Sequence, residues 1–104
     1  MGGYAALEYS KFQPNQVAAV ACIAGYYDTR CANSLMQTIA HIPLLFVHYT
    51  RDKVCPIAPV KQLLEVRRNL SKVLTEARIL DGDEHCGDEI ERQKALDWLH
   101  SVPR

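Results

Sequence analysis

A chain of 104 residues is the size of one small domain or of part of a larger one, and 48% hydrophobic with 23% charged content is that of a folded globular protein. Twelve Lys+Arg balance twelve Asp+Glu, so no excess positive charge exists to neutralise phosphates or anionic lipid, which argues against nucleic acid as a partner. No apolar run approaches the roughly eighteen residues that suggest a membrane span, and Met1-Gly2-Gly3-Tyr4 lacks the basic stretch and apolar core of a secretory signal.

Cys22, Cys31, Cys55 and Cys86 are widely spaced and form no C-x-x-C. They read as free thiols in a reducing compartment, which makes a cytoplasmic protein the expectation.

Met1 to Phe12 reads as a helix, because Tyr4-Ala5-Ala6-Leu7-Glu8-Tyr9-Ser10-Lys11 are good helix formers. Starting at the first residue with no cap before it, this helix looks cut. Pro14-Asn15 ends it in a turn. Val17 to Ala24 is an apolar run of strand length that stops at Gly25 and Tyr26-Tyr27-Asp28; a buried strand is expected, though its alanines would also suit a helix. Thr29 to His41 places Leu35, Met36 and Ile39 on one side and reads as a short helix.

Ile42 to Pro56 concentrates the information. Leu44-Leu45-Phe46-Val47, with Ile42 before Pro43, is too short for a stand-alone helix and predicts a strand buried on both faces, as parallel sheets use. After it comes a loop with Asp52 four residues before Pro56. In open α/β sheets, loops at the carboxyl ends of strands hold ligands and chemistry.

From Ala58 to Leu74 the spacing turns helical. Val60, Leu63, Leu64, Val66, Leu70, Val73 and Leu74 lie toward one side, and Lys61, Glu65, Arg68 and Lys72 form a solvated stripe. Ala77 to Leu80 is a short third strand, Asp81 to Gly87 a loop, and Asp88 to His100 a helix with Ala95, Trp98 and Val102 spaced to dock on a sheet. The alternation predicts an α/β fold of about three parallel strands with flanking crossover helices.

Asp28, Asp52 and His85 then fall at strand ends or on the loops after them. A carboxylate that fixes an imidazole is the base half of a catalytic triad, and loops after successive parallel strands reach the same sheet edge. Blander readings stand beside this one. Asp52 would cap the turn before Pro56, His85 would be a solvated loop histidine, Asp28 a turn residue and His48 a packed strand-end histidine. Tyr26, Tyr27, Leu35 and Met36 would line a pocket or simply fill the core. Asp81, Asp83, Glu84 and Asp88 would favour a charged His85 if they lie close. That acidic cluster fails the EF-hand pattern, and Cys55 and Cys86 have the wrong spacing for zinc. No metal and no cofactor is expected.

Four segments in order resemble the α/β-hydrolase family, in the version found among carboxylesterases, acyl-protein thioesterases and phospholipase-like serine hydrolases. Met1-Gly2-Gly3-Tyr4-Ala5-Ala6-Leu7 is similar to the second half of the nucleophile elbow G-x-S-x-G and its helix, as in S-M-G-G. Val17 to Gly25 is similar to the strand that follows. Ile42 to Pro56 resembles the acid loop apolar-H-G-x-x-D-x-x-V-P, with Tyr49 in place of the glycine and Cys55 in place of the usual valine. Gly82-Asp83-Glu84-His85-Cys86-Gly87 resembles the histidine loop.

The resemblance implies the C-terminal part of an α/β-hydrolase fold over residues 1–104, with Asp52 as acid and His85 as general base. It places the nucleophilic serine one residue before Met1, and the Met1 amide as the remaining oxyanion-hole donor. The earlier strands are missing from such an alignment, and Ser10, Ser34, Ser71 and Ser101 sit in no G-x-S-x-G context and read as surface or turn residues. Base and acid without a nucleophile cannot cleave an ester by the family mechanism, so this chain alone is expected to be inactive. Two functions follow: the rear segment of a serine hydrolase acting on carboxylic esters or thioesters, or a non-catalytic hydrolase-like subunit. In either case the strand at Val17 to Ala24 would present an open edge that a partner chain or a second copy would cover.

Overall fold

The computed structural model describes residues 2–13, 15–25, 27, 29–30, 32–70, 73–83, 85 and 89–102, with side chains from residue 5 onward. Its elements run α1 (Gly2–Phe12), β1 (Val20–Ile23), α2 (Ala32–Thr38), β2 (Leu44–Tyr49), α3 (Ala58–Leu70), β3 (Thr75–Leu80) and α4 (Glu89–Ser101). The strands form one sheet in the order β1-β2-β3, both pairs parallel. Parallel neighbours need a crossover between them, and α2 and α3 supply it. All loops that leave the strands therefore open on one sheet edge.

The run Leu44 to Val47 is apolar because β2 is the central strand: every residue of the strand is buried. Strand alternation sends Leu44 and Phe46 to one face and Leu45 and Val47 to the other. The first face packs with Leu7, Leu35, Met36, Val60 and Leu63 from α1, α2 and α3. There the Tyr27 ring meets Phe46 edge to face, with centroids 5.4 Å apart. The second face packs with Ala95 and Trp98 of α4.

Three boundaries differ from the sequence reading. The strand expected over Val17 to Ala24 is only Val20–Ile23 and alternates between buried and half-buried positions, because pairing with β2 begins where the Val20 amide donates to the Pro43 carbonyl at 2.9 Å. It ends where Ala24 turns left-handed, with φ of 51°, a conformation that costs a non-glycine residue about 1–2 kcal/mol. The helix expected to reach Leu74 stops at Leu70, and the third strand starts at Thr75 rather than Ala77. The reason is the sheet: Leu44 donates to the Leu74 carbonyl at 3.0 Å, pulling that segment out of helical register and leaving Leu70 and Leu74 at 39% and 43% exposure.

Arg67, absent from the predicted polar stripe, is wholly buried. Its guanidinium donates to the Ile39 carbonyl at 2.7 Å, to the Ile42 carbonyl, and through Nε to Thr75 Oγ1 at 2.9 Å. It thus ties α3 to the α2–β2 turn and to β3. Ser10 also differs from expectation: it is buried in α1 and its hydroxyl donates to the Ala6 carbonyl at 2.7 Å.

β1 is an edge strand of this sheet. Val20 and Ala24 direct their amides to β2, so alternation turns those of Ala21 and Ile23 to the open side. That side is an apolar groove lined by Ala6, Tyr9, Val17, Ala19, Ala21 and Leu99, continued along α4 past Ala95 and Leu96. Among the described residues no helix is long and apolar enough to cross a membrane.

Candidate active site

Because β2 and β3 are parallel neighbours, the loops leaving them start side by side. Backbone hydrogen bonds keep them together. The Thr50 amide donates to the Leu80 carbonyl at 2.9 Å and the Arg51 amide to the Gly82 carbonyl at 2.8 Å. Asp81 adds a side-chain tie, accepting from Arg51 at 2.7 Å and from the Thr50 hydroxyl at 3.2 Å.

On this paired platform Asp52 and His85, 33 positions apart in sequence, meet: His85 Nδ1 donates to Asp52 Oδ2 at 2.8 Å. The Asp52 side chain has no solvent exposure, whereas His85 is 28% exposed. The other carboxylate oxygen, Oδ1, accepts the amides of Val54 and Cys55 at 2.8 Å each. The turn-capping role and the imidazole-pairing role weighed for Asp52 are therefore both real, one on each oxygen.

Burial by itself pushes the Asp52 carboxyl upward. The Cys55 amide, the bond to His85 and the Val54 amide outweigh burial and hold it below the usual carboxylate value. An ionised Asp52 accepting from Nδ1 leaves Nε2 as the ring nitrogen able to take a proton from a hydroxyl. Asp81 is turned to Arg51, and Asp83 is exposed.

His48 is packed as expected, 1% exposed. Its Nε2 lies 2.7 Å from the Cys55 carbonyl and 3.7 Å from Asp52 Oδ2. Tyr27, Leu35 and Met36 lie in the core cluster. Cys22 and Cys55 are buried, and burial pushes the Cys22 thiol up to about 12, which keeps it protonated and unreactive at neutral pH. Burial and the nearby Cys22 raise the Tyr27 hydroxyl as well.

Among the described residues no group of three or more His, Cys, Asp and Glu side chains is placed to hold a metal ion. Likewise none of the described serines, Ser10, Ser34 and Ser101, hydrogen-bonds to His85. Met1, whose amide is the expected oxyanion donor, lies outside the described residues, as do Tyr26, Asp28, Cys31, Ser71, Glu84, Cys86 and Asp88.

A three-stranded parallel sheet with these flanking helices has the architecture of the α/β-hydrolase fold. Two solved structures of that fold carry the comparison. A thermostable esterase superposes on 99% of this chain with a TM-score of 0.75 at 25% sequence identity. A Klebsiella pneumoniae subsp. pneumoniae protein assigned as a dienelactone hydrolase superposes on 93% with a TM-score of 0.64 at 13% identity, a likeness of fold alone. This chain spans 29% of the first protein and 45% of the second. No protein-family model and no curated protein matches it.

Proposed function

We propose that the chain carries the acid and base of a serine hydrolase that cleaves carboxylic esters or thioesters. The observation that carries this reading is the 2.8 Å bond from His85 Nδ1 to a fully buried Asp52 carboxylate. In this mechanism His85 Nε2 takes the proton of a serine hydroxyl as it attacks the acyl carbon, and later returns it to the leaving group. Asp52 holds the ring in the Nδ1–H tautomer and stabilises the imidazolium that forms. The amide of Met1 would face the oxyanion. The nucleophile is supplied from outside residues 1–104, by preceding residues or by another chain, so these residues alone are inactive.

The same reading covers the open edge of β1. A strand from a partner chain or from a second copy adds alongside β1, bonding to the outward amides of Ala21 and Ile23 and filling the groove against α1 and α4. Cysteines that are widely spaced in the sequence and form no C-x-x-C support residence in the cytoplasm.

A serine-directed fluorophosphonate on the purified natural protein tests the enzyme. A labelled serine in the same or an associated chain, with labelling lost in His85→Ala, is the expected result. Absence of labelling from native, folded material overturns it. That outcome favours the second reading, a non-catalytic hydrolase-like subunit.

A further inference from the structure

His48 occupies the penultimate position of β2, in register with Ile79 of β3, and is buried with its ring against the acid loop. The Cys55 carbonyl 2.7 Å from Nε2 can only accept, so Nε2 carries the hydrogen and the tautomer of the ring is set. Nδ1 is buried with no hydrogen-bond partner among the described residues. Nε2 is the ring nitrogen with a described partner.

That nitrogen acts on a residue held at both of its backbone groups. The Cys55 carbonyl takes the Nε2 hydrogen, and the Cys55 amide donates to Asp52 Oδ1 at 2.8 Å. The segment from Asp52 to Ile57 has no regular secondary structure, whereas β2 is paired on both sides. A hydrogen bond from the strand is therefore what an irregular turn needs if its amides are to hold a carboxylate in one orientation. The same Nε2 is 3.7 Å from Asp52 Oδ2, the oxygen that faces His85.

We propose that His48 is a positioning residue: its Nε2–H anchors the Cys55 carbonyl to β2 and thereby aims the Asp52 carboxylate at His85. Its catalytic consequence rests on the hydrolase reading above; the positioning itself does not. Removing the anchor slackens the turn, so the Cys55 amide no longer sits squarely on Oδ1. Of the groups that lower the Asp52 carboxyl, that amide is the foremost.

The natural protein, labelled with 15N-histidine and 13C-aspartate, tests this by NMR. The expected results are an Nε2–H tautomer for His48 and, in His48→Leu, exchange of the Cys55 amide faster by about tenfold or more. The same variant shifts the Asp52 carboxyl titration upward by about half a unit or more. His48→Gln, whose side-chain N–H reaches the same carbonyl, brings both back toward wild type. An Nδ1–H tautomer in the unmutated protein overturns the proposal. So does a folded His48→Leu that loses global stability while the Asp52 titration and Cys55 exchange stay unchanged, the mark of a merely structural histidine. Should His48→Leu not fold, the tautomer and the Gln variant decide. Fluorophosphonate labelling is a separate reading: its failure with these NMR effects intact refutes the hydrolase and leaves the anchor standing.

Discussion

Replacing Asp52 by Asn is the most informative single change, because the structure dictates how the new side chain must sit. Two backbone amides point at Oδ1, so the Asn carbonyl oxygen takes that place and its NH2 falls opposite His85. Two N–H groups cannot share the 2.8 Å contact with Nδ1. The His85 proton then moves to Nε2, and the nitrogen that should accept a proton is filled. The three contacts also change from charge-assisted to neutral, a loss of about 1 kcal/mol each and so about 3 kcal/mol in all.

The pH dependence has a definite sign. Asp52 is held below its ordinary value in the folded chain, so its stabilisation is complete above the unfolded value of about 3.9 and is lost as pH falls through the lower folded value. Urea denaturation at pH 5 and pH 7 should show the variant less stable by that amount, with the gap to wild type closing below about pH 4. Nitrogen-15 spectra should show His85 changing from the Nδ1–H to the Nε2–H form. In the catalytically complete protein, kcat should fall by about 10⁴-fold. Equal stability at pH 7, or a gap that widens on acidification, would refute the geometry on which the argument stands.

Arg67→Leu strands the Ile42 carbonyl and leaves the Ile39 carbonyl with the Ile42 amide alone, and should destabilise by about 2 kcal/mol or more in urea, with Arg67→Lys failing to restore the paired contacts. Arg51→Ala, by contrast, removes an ion pair whose side chains are 63% and 85% exposed; the loss should stay under about 1 kcal/mol and shrink further in high salt. Ala24→Gly relieves the left-handed strain at φ 51°, and set against the greater freedom of glycine in the unfolded chain it should raise stability by about 0.5–1 kcal/mol in thermal melts. A lower midpoint for that variant would mean that the Ala24 methyl packing matters more than its backbone.

The path from residues to site was direct where one periodicity dominated. β2 is legible because a strand buried on both faces is apolar along most of its length, as Leu44 to Val47 are, and Asp52 is legible because it follows that strand on the edge where parallel strands release their loops. Legibility failed where partners distant in sequence decide the outcome. Val73 and Leu74 continue a helical pattern, yet the Leu74 carbonyl is taken by Leu44 of β2. Arg67 belongs to neither the apolar side nor the polar stripe read for its helix, yet carbonyls from another turn receive it. Val17 and Ala19 are as apolar as a strand requires, but pairing with β2 starts only at Val20.

Read alone, the chain's pattern establishes the order of its elements, the parallel sheet, and the two loops from which an acid and an imidazole emerge. These follow from local spacing, which needs no knowledge of what lies across the sheet. Only the folded structure joins Asp52 to His85 through a single oxygen, gives the other oxygen to the turn, and places His48 behind that turn. Hydrogen bonds are directional and span a few ångströms, so which groups meet is decided by strand register and not by position along the chain.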